Sequence, residues 1–292
     1  MSEIKIAGVM RAGAFSPNHI GNDAAIFNAV AEQLRKRGCE VRVYSEEQFR
    51  TTRIEERIIL DMCREPASIK LLQEMEDNGR LVINSGFGIE NCTRERMTRI
   101  LTGGGVPYPE SLIVNTNEGI LGMLKKAGIE NCWIKRGESH SQHKEDVSFC
   151  RHRQEAQEVL QEYFYRGIRR AVINRHLEGS LVKFYGLQGG SYFYCFDPFN
   201  SGHMKFDYET HNEHEGMGHF DARLLRDIAE KASELLDVRI YGGDCIVGHD
   251  GSLSIIDFND WPSFAPCRDE AAPLIAKYVL SEIKKWRAQR EG

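Results

Sequence analysis

The most informative stretch of this sequence is DCIVGHDGSLSIIDFN, which spans residues 244–259. Apolar residues flank Asp250-Gly251, a dipeptide that favours a two-residue hairpin turn. With that turn, Asp244 lies directly opposite Asp257, and Asn259 follows two residues later on the same face. Opposed carboxylates destabilise a sheet unless a positive charge lies between them. The pattern therefore indicates either a site for a hard divalent cation, Mg²⁺ above all, or two solvated acids at the end of a hairpin.

Upstream of this hairpin, the hydrophobic pattern predicts alternating strands and helices. Ile4–Met10 is an apolar stretch, a helical pattern follows and ends at Gly38, and residues 39–44 alternate as a second strand. A strand–helix–strand order is the signature of a parallel sheet. The Gly- and Pro-rich run at 103–109 is the clearest domain boundary, and the polar stretches 137–146 and 197–219 are typical of surface loops.

Length and composition exclude several classes of protein. The chain has 292 residues, with 38 Lys and Arg against 43 Asp and Glu, and the length predicts two domains or three small ones. This mild acidity argues against a nucleic-acid partner, and no apolar stretch approaches the roughly 18–20 residues of a membrane span. Eight cysteines without a C-x-x-C pair, and a start without a signal-like segment, predict a cytoplasmic protein with reduced thiols. The alternative for these cysteines is a catalytic thiol or a zinc site.

Five motifs, in this order along the chain, resemble the ATP-grasp superfamily over about residues 80–265. They are Val82–Ile89 continuing to Pro109, Cys132–Lys135, Glu178–Gly186, Gly242–Asp244 and Asp257–Ser263. The resemblance implies an α/β fold with a small parallel-sheet N-terminal domain at 1–108, followed by a two-part α+β ATP-grasp module. The module would consist of a small lid subdomain at 109–174 and a large metal-binding subdomain at 175–292.

The resemblance also implies roles for individual residues. Lys135 would hold the α- and β-phosphates of ATP and Lys183 the γ-phosphate, while Asp244, Asp257 and Asn259 would hold one or two Mg²⁺ ions. The hinge against adenine would consist of Asn174, Arg175, His176 and Leu177. Where the family usually has a lysine in the helix that opens the module, this chain has Arg96, to which a catalytic contact is assigned. The phosphate-covering loop would include Ser139 and His140, although it contains a single glycine where the family is Gly/Ser-rich.

The activity implied by the resemblance is ATP-dependent joining of a carboxylate to an amine or thiol through an acyl phosphate. The expected partners are small-molecule or peptide carboxylates and amines, and the oligomeric state is left open, a homo-oligomer included. Candidate substrate-facing residues are Arg11, Ser16, Asn18, His19, Ser263 and the 203–219 loop. Two alternatives remain at this stage, a small-molecule kinase of the same fold and a nucleotide-binding regulator with degraded catalysis.

Overall fold

The computed structural model describes residues 4–15, 20–137, 146–199, 203–205 and 220–291. The strands in these ranges are β1 Ile4–Met10, β2 Cys39–Ser45, β3 Ile58–Asp61, β4 Leu81–Ile83, β5 Ser111–Asn115, β6 Cys132–Arg136, β7 Val147–Cys150, β8 Arg170–Arg175, β9 Ser180–Leu187, β10 Tyr192–Phe196, β11 His203–Lys205, β12 Ile240–Val247 and β13 Leu253–Asp260. The α-helices are α1 Ile20–Lys36, α2 Glu46–Thr51, α3 Pro66–Asp77, α4 Gly86–Asn91, α5 Arg94–Gly103, α6 Leu121–Lys126, α7 Arg153–Tyr165, α8 Ala222–Leu236 and α9 Arg268–Glu291.

The first sheet has the strand order β2-β1-β3-β4, and all its strands are parallel. Its strands are short and apolar because helices cover both faces. Ile6 belongs to a core on one side of β1, and Ala7 and Val9 belong to a separate core on the other. The parallel N-terminal sheet expected from the sequence is therefore present. The strand β3 was not predicted. It is only four residues long and buried throughout, so its sequence lacks the alternation of apolar and polar residues that marks a strand.

The second sheet, β5-β8-β6-β7, is antiparallel. Ile134 on β6 and Ile173 on β8 pack in one core with Leu124 of α6 and Leu160 of α7. Because side chains alternate along a strand, Lys135 points from β6 to the face opposite this core. Helices α6 and α7 thus cover one face of this sheet, and Lys135 lies on the other face.

The third sheet, β11-β10-β9-β12-β13, is also antiparallel. Helix α8 covers one of its faces with buried residues at helical spacing, and it begins at Asp221, whose carboxylate accepts hydrogen bonds from two backbone N–H groups of the first turn. Leu225 and Ala229 of this helix share a core with Phe184 and Phe258 of the sheet. The opposite face carries Lys183, Asp244 and Asp257 at one end, while Leu187 and Ile240 at the other end are buried in a different core.

The largest core joins the first and third sheets. Helix α9 packs on α1 here, with Ile275 and Val279 in the same cluster as Phe27 and Leu34. The division into domains at residues 108 and 174 stays a prediction. Helix α9, the last element of the predicted large subdomain, packs against α1 of the predicted N-terminal domain. Within the described part of the chain, none of the helices has the length and apolarity needed to span a bilayer.

Candidate active site

The carboxylate pair predicted from the hairpin is present. Asp244 on β12 lies opposite Asp257 on β13, and on its other side it lies opposite Lys183 on β9. The Lys183 ammonium donates to Asp244 Oδ1 at 2.8 Å. Strand register thus places a cation and two carboxylates in one row across three neighbouring strands, on the face that α8 leaves free.

The turn that produces this register differs from the predicted one. Strand β12 ends at Val247 and β13 begins at Leu253, so the turn is longer than the two residues expected at Asp250-Gly251. A β-bulge then shifts the pairing between Asp244 and Cys245, and it restores the Asp244–Asp257 opposition that a two-residue turn would also have given. The prediction of the pair was right, but the turn behind it was wrong.

The bulge also connects the third sheet to the second. Pairing passes from Cys245 opposite Ile255 to Asp244 opposite Asp257, so Ile256 is the extra residue. Its carbonyl oxygen accepts a hydrogen bond from the Lys135 ammonium at 2.9 Å. A bulge leaves its extra residue outside the regular ladder, and here that residue anchors the predicted phosphate-binding lysine of β6.

Arg94, and not Arg96, is the residue of α5 that reaches the carboxylates. Arg94 Nη1 lies 3.0 Å from Asp257 Oδ1, and the Arg94 side chain is 11% exposed. Arg96 pairs with Glu90 at 2.9 Å and is 53% exposed. Two residues along a helix correspond to about 200° of rotation, so the two guanidinium groups point to opposite sides. The catalytic contact assigned to Arg96 stays a prediction, and in this structure the contact from α5 to the carboxylates is made by Arg94.

A sequence signal for Arg94 existed. Arg94 is the first residue of α5, where the partial positive charge of the helix N-terminus disfavours a cation. A carboxylate nearby offsets this effect, and Asp257 supplies one. This signal was not used to predict the site.

The site carries three cations against two carboxylates. Burial and the nearby Arg94 charge lower the pKa of Lys135 to about 8, although Asp257 and Asp244 oppose that shift. Burial raises the pKa of Asp244 despite the Lys183 ammonium beside it. A partly buried site with excess positive charge favours a polyanion, because the phosphates of a nucleotide would restore the charge balance that partial burial makes costly.

The donor set at this row suits a divalent cation. Asp244 and Asp257 present carboxylates on one face, Asn259 follows on the same face, and no hydrogen-bond partner of the Asn259 amide is found among the described residues. Mg²⁺ prefers such oxygen ligands and commonly takes one or two carboxylates together with substrate phosphates. The ranges that the structure describes contain no group of three or more His, Cys, Asp or Glu side chains that could hold a metal on its own.

The four predicted hinge residues lie at and just after the end of β8. Asn174 is buried, and its amide Nδ2 donates to Ser111 Oγ at 2.7 Å. The Arg175 side chain is held by Glu110 and by the carbonyl oxygens of the loop after α6. His176 Nδ1 accepts from Trp133 Nε1 at 3.1 Å, and Leu177 follows outside the strand. Contact of this segment with a nucleotide base stays a prediction.

Some of the predicted site residues lie outside the described residues. These are Ser139 and His140 of the phosphate-covering loop, together with Ser16, Asn18 and His19 of the loop after β1 and most of the 203–219 loop.

Arg11, a candidate substrate contact, lies in a buried ion network, and its contact with a substrate stays a prediction. Its guanidinium lies 2.9 Å from Asp23 and 3.6 Å from Asp260, and it is 7% exposed. Arg64 lies 2.7 Å from Asp260 on the other side. These arginines follow β1 and β3, so they tie the carboxyl ends of the first sheet to the end of β13, next to Asn259. The network was not foreseen, because no local pattern links residues so far apart in sequence.

Solved structures share this architecture over nearly the whole chain. The D-alanine–D-alanine ligase from Bacillus anthracis, solved with ATP, aligns with a TM-score of 0.71 at 13% identity, covering 99% of this chain and 100% of that one. The ATP-grasp ligase PsnB, solved with a minimal precursor, Mg and ADP, aligns with a TM-score of 0.65 at 14% identity, covering 96% and 98%. A RimK domain ATP-grasp protein from Sphaerobacter thermophilus aligns with a TM-score of 0.67 at 15% identity, covering 94% and 99%.

The chain therefore has the ATP-grasp fold, as the order of its motifs predicted. It is an α/β protein in which a small parallel sheet precedes two antiparallel sheets. No protein-family model matches the sequence, and a search of curated proteins finds no match either.

Proposed function

We propose that this protein is a ligase that uses Mg²⁺ and ATP to join a carboxylate to an amine through an acyl phosphate. The observation that carries the proposal is the meeting of two sheets at one carboxylate pair. Lys135 comes from the second sheet, Lys183 from the third, and Arg94 from α5, and all three converge on Asp244, Asp257 and the bulge between them. Charged side chains arranged in this way fit a polyphosphate held between two layers.

In this proposal each charged side chain has its own task. Lys135 and Lys183 are point charges placed to hold phosphate oxygens from opposite sides. Arg94 now neutralises Asp257, and it would turn to the phosphates when a cation takes over that neutralisation. Asp244, Asp257 and Asn259 would hold Mg²⁺, which would neutralise negative charge on the phosphates as the γ-phosphoryl group moves.

The chemistry proposed needs positioning and electrostatics rather than a protein nucleophile. A substrate carboxylate attacks the γ-phosphate, ADP leaves, and an amine then displaces phosphate from the acyl phosphate. The side chains found here are suited to orienting the reactants and stabilising charge. The similar folds of a D-alanine–D-alanine ligase and of PsnB support the choice of a ligase, and their bound ATP, or Mg and ADP, support the choice of cofactors.

The first test is calorimetric titration with a non-hydrolysable ATP analogue, with and without Mg²⁺. For the wild-type protein we expect binding that Mg²⁺ strengthens. In Asp257→Asn that strengthening should fall by at least about tenfold, since one carboxylate ligand is lost. Asp250→Asn is the matched control, because Asp250 lies in the exposed turn of the same hairpin.

Equal Mg²⁺ dependence in the two variants would contradict the metal site. Absence of nucleotide binding by the wild type would contradict the whole proposal. If binding is found, phosphate release with mixed carboxylates and amines tests ligation. A phosphorylated product that forms without an amine and persists when one is added would instead identify a small-molecule kinase.

A further inference from the structure

Two cysteines lie directly opposite each other in the second sheet. Cys132 begins β6, Cys150 ends β7, and the two are register partners in an antiparallel pair. Both are completely buried, and each thiol is close enough to the other to shift its pKa. All eight cysteines of the chain are free and lie in the described residues, and no other two of them are register partners on adjacent strands.

The backbone geometry of such a pair is compatible with a disulfide. Opposed residues of antiparallel strands have Cα atoms about 4.5 or 5.5 Å apart, depending on whether the pair is hydrogen-bonded. Disulfides span Cα distances of about 4.4–6.8 Å. A bond between Cys132 and Cys150 therefore needs side-chain rotation, and no separation or slippage of the two strands.

We propose that Cys132 and Cys150 form an oxidisable dithiol site, which low-molecular-weight disulfides such as oxidised glutathione convert to an intramolecular disulfide. The Cys132 thiolate attacks one sulfur of oxidised glutathione, the S–S bond breaks, and one glutathione leaves as a thiolate that takes up a proton. Cys150 then loses its proton to solvent and attacks the Cys132 sulfur of the mixed disulfide, which releases the second glutathione. Two protein thiols are oxidised and one glutathione disulfide is reduced to two thiols.

The order of attack follows from the unequal effect of the two thiols on each other. The neighbouring Cys150 thiol lowers the pKa of Cys132, and the Cys132 thiol and burial raise that of Cys150. Since the thiolate is the attacking form, Cys132 is the first nucleophile and Cys150 resolves the mixed disulfide.

Access to the buried thiols is provided by the position of β7. This strand is four residues long and is at the edge of the sheet, where β6 is its only partner among the described strands. Short edge strands open locally at low cost, because few contacts hold them. Both cysteines belong to the core of this sheet, so the reagent would reach them when β7 opens at this edge. The bond would also fix the β6–β7 register three residues before Lys135.

Cys195 and Cys245 provide an internal control. They are buried in the same core and close enough to influence each other electrostatically. They are on β10 and β12, however, and β9 lies between those strands. Two strand spacings amount to about 9–10 Å, which is beyond the reach of a disulfide.

The test is incubation of the native full-length protein with graded ratios of oxidised to reduced glutathione, followed by alkylation and peptide mass mapping. We expect a Cys132–Cys150 cross-link to form before any other, with the remaining thiols alkylated and the bond reversed by dithiothreitol. Cys150→Ala should accumulate a glutathione adduct on Cys132, and Cys132→Ala should leave Cys150 unmodified. These readouts are independent of nucleotide binding, so their failure is distinct from failure of the proposed ligase activity.

A native wild-type protein that keeps all its thiols at ratios that oxidise the urea-unfolded chain would overturn the proposal. Cross-linking of Cys195 to Cys245 to the same extent would also overturn it. Direct opposition on adjacent strands would then not explain which cysteines are oxidised. The comparison of native and unfolded wild type needs no variant, so a variant that fails to fold does not weaken the test.

Discussion

The charged residues of the site are arranged as individual pairs. Lys183 neutralises Asp244, and Arg94 neutralises Asp257. A charge removed from water is costly unless it is paired, so each carboxylate is stable in the absence of a ligand. The carboxylates and Lys183 were predicted from hairpin register and motif order. Arg94 was not, because its place at a helix N-terminus was not used as a signal, and identifying Asp257 as its partner requires the rotation of α5 relative to the third sheet.

A further ion pair, next to Arg94 in sequence, predicts a pH dependence of stability. Glu95 accepts hydrogen bonds from Arg170 at 2.8 and 2.9 Å and from Arg99 at 2.9 Å. Hydrogen bonds from Arg170, and then from Arg99, lower the pKa of Glu95 from 4.5 to about 2. Between those pH values the unfolded chain binds more protons than the folded one. The stabilisation is therefore complete above pH 4.5 and is lost as the pH falls toward 2.

Glu95→Gln should remove this part of the acid sensitivity. We expect the free energy of unfolding at pH 6 to drop by on the order of 1 kcal/mol, after allowance for solvent screening, and the difference from wild type to shrink below pH 4. Urea denaturation at a series of pH values measures both effects. Arg99→Ala is the control: Arg99 is 59% exposed, so its loss should cost less. A difference from wild type that is constant with pH would refute the assignment.

At the level of elements, the site depends on how one hairpin and two helices end. The β12–β13 bulge sets the Asp244–Asp257 opposition and frees the Ile256 carbonyl for Lys135. Helix α8 ends at Leu236 and is followed by Asp237 at φ 56°, and α4 packs on that end. Asn91 of α4 donates to the Leu236 carbonyl oxygen at 3.2 Å. These junctions hold α4 against the end of α8, which covers one face of the third sheet.

Gly88 is the contact residue of α4 at this junction. A Cβ atom at Gly88 would lie 2.0 Å from the Asp237 carbonyl oxygen, which belongs to backbone and cannot rotate away. Gly88→Ala should therefore lower the free energy of unfolding by about 1–3 kcal/mol. Gly122→Ala is the matched control in α6, where a Cβ would meet nothing within 4 Å. That change should raise stability by about 0.5–1 kcal/mol. Urea denaturation measures both changes. A change of the same sign in the two variants would contradict the close contact inferred at Gly88.

At the level of the whole molecule, long-range polar contacts hold the first sheet to the third. Asn84 follows β4 and is 1% exposed. Its amide donates to the Ile240 carbonyl oxygen at 2.8 Å and accepts from the backbone N–H groups of Arg239 and Ile240 at 3.0 and 2.8 Å. One side chain thus satisfies three backbone groups at the start of β12. Together with the Arg11–Asp260 and Arg64–Asp260 contacts, it ties the two sheets together beside the site.

Asn84→Ala should remove the side-chain acceptor of the Arg239 and Ile240 N–H groups, while the Ile240 carbonyl oxygen keeps its bond from the Trp261 N–H. Each buried group left unsatisfied costs about 1–3 kcal/mol, so we expect a loss of roughly 2–4 kcal/mol in the free energy of unfolding. Chemical denaturation measures this loss. Asn78→Ala is the control, because Asn78 is exposed and bonds within its own helix end. An equally small loss of unfolding free energy in the two variants would show that Asn84 does not stabilise the contact between the first and third sheets.

The sequence alone determined the elements with strong local signals. Apolar periodicity and Gly/Pro punctuation identified the parallel N-terminal sheet, helix α8 and the hairpin, and the order of the motifs identified the ATP-grasp fold. These features depend on neighbours within one strand or helix, where spacing fixes which side chains share a face.

Tertiary structure decided what depends on the relative placement of elements. It brought Arg94 to Asp257 and the Ile256 carbonyl oxygen to Lys135. It also buried Arg11 against Asp23 and placed Cys132 opposite Cys150. The physical reason is that each of these contacts joins residues whose separation in sequence carries no information about their distance. Helix rotation, strand order and bulges set that distance when the sheets pack, since those packed layers bury most of the apolar surface.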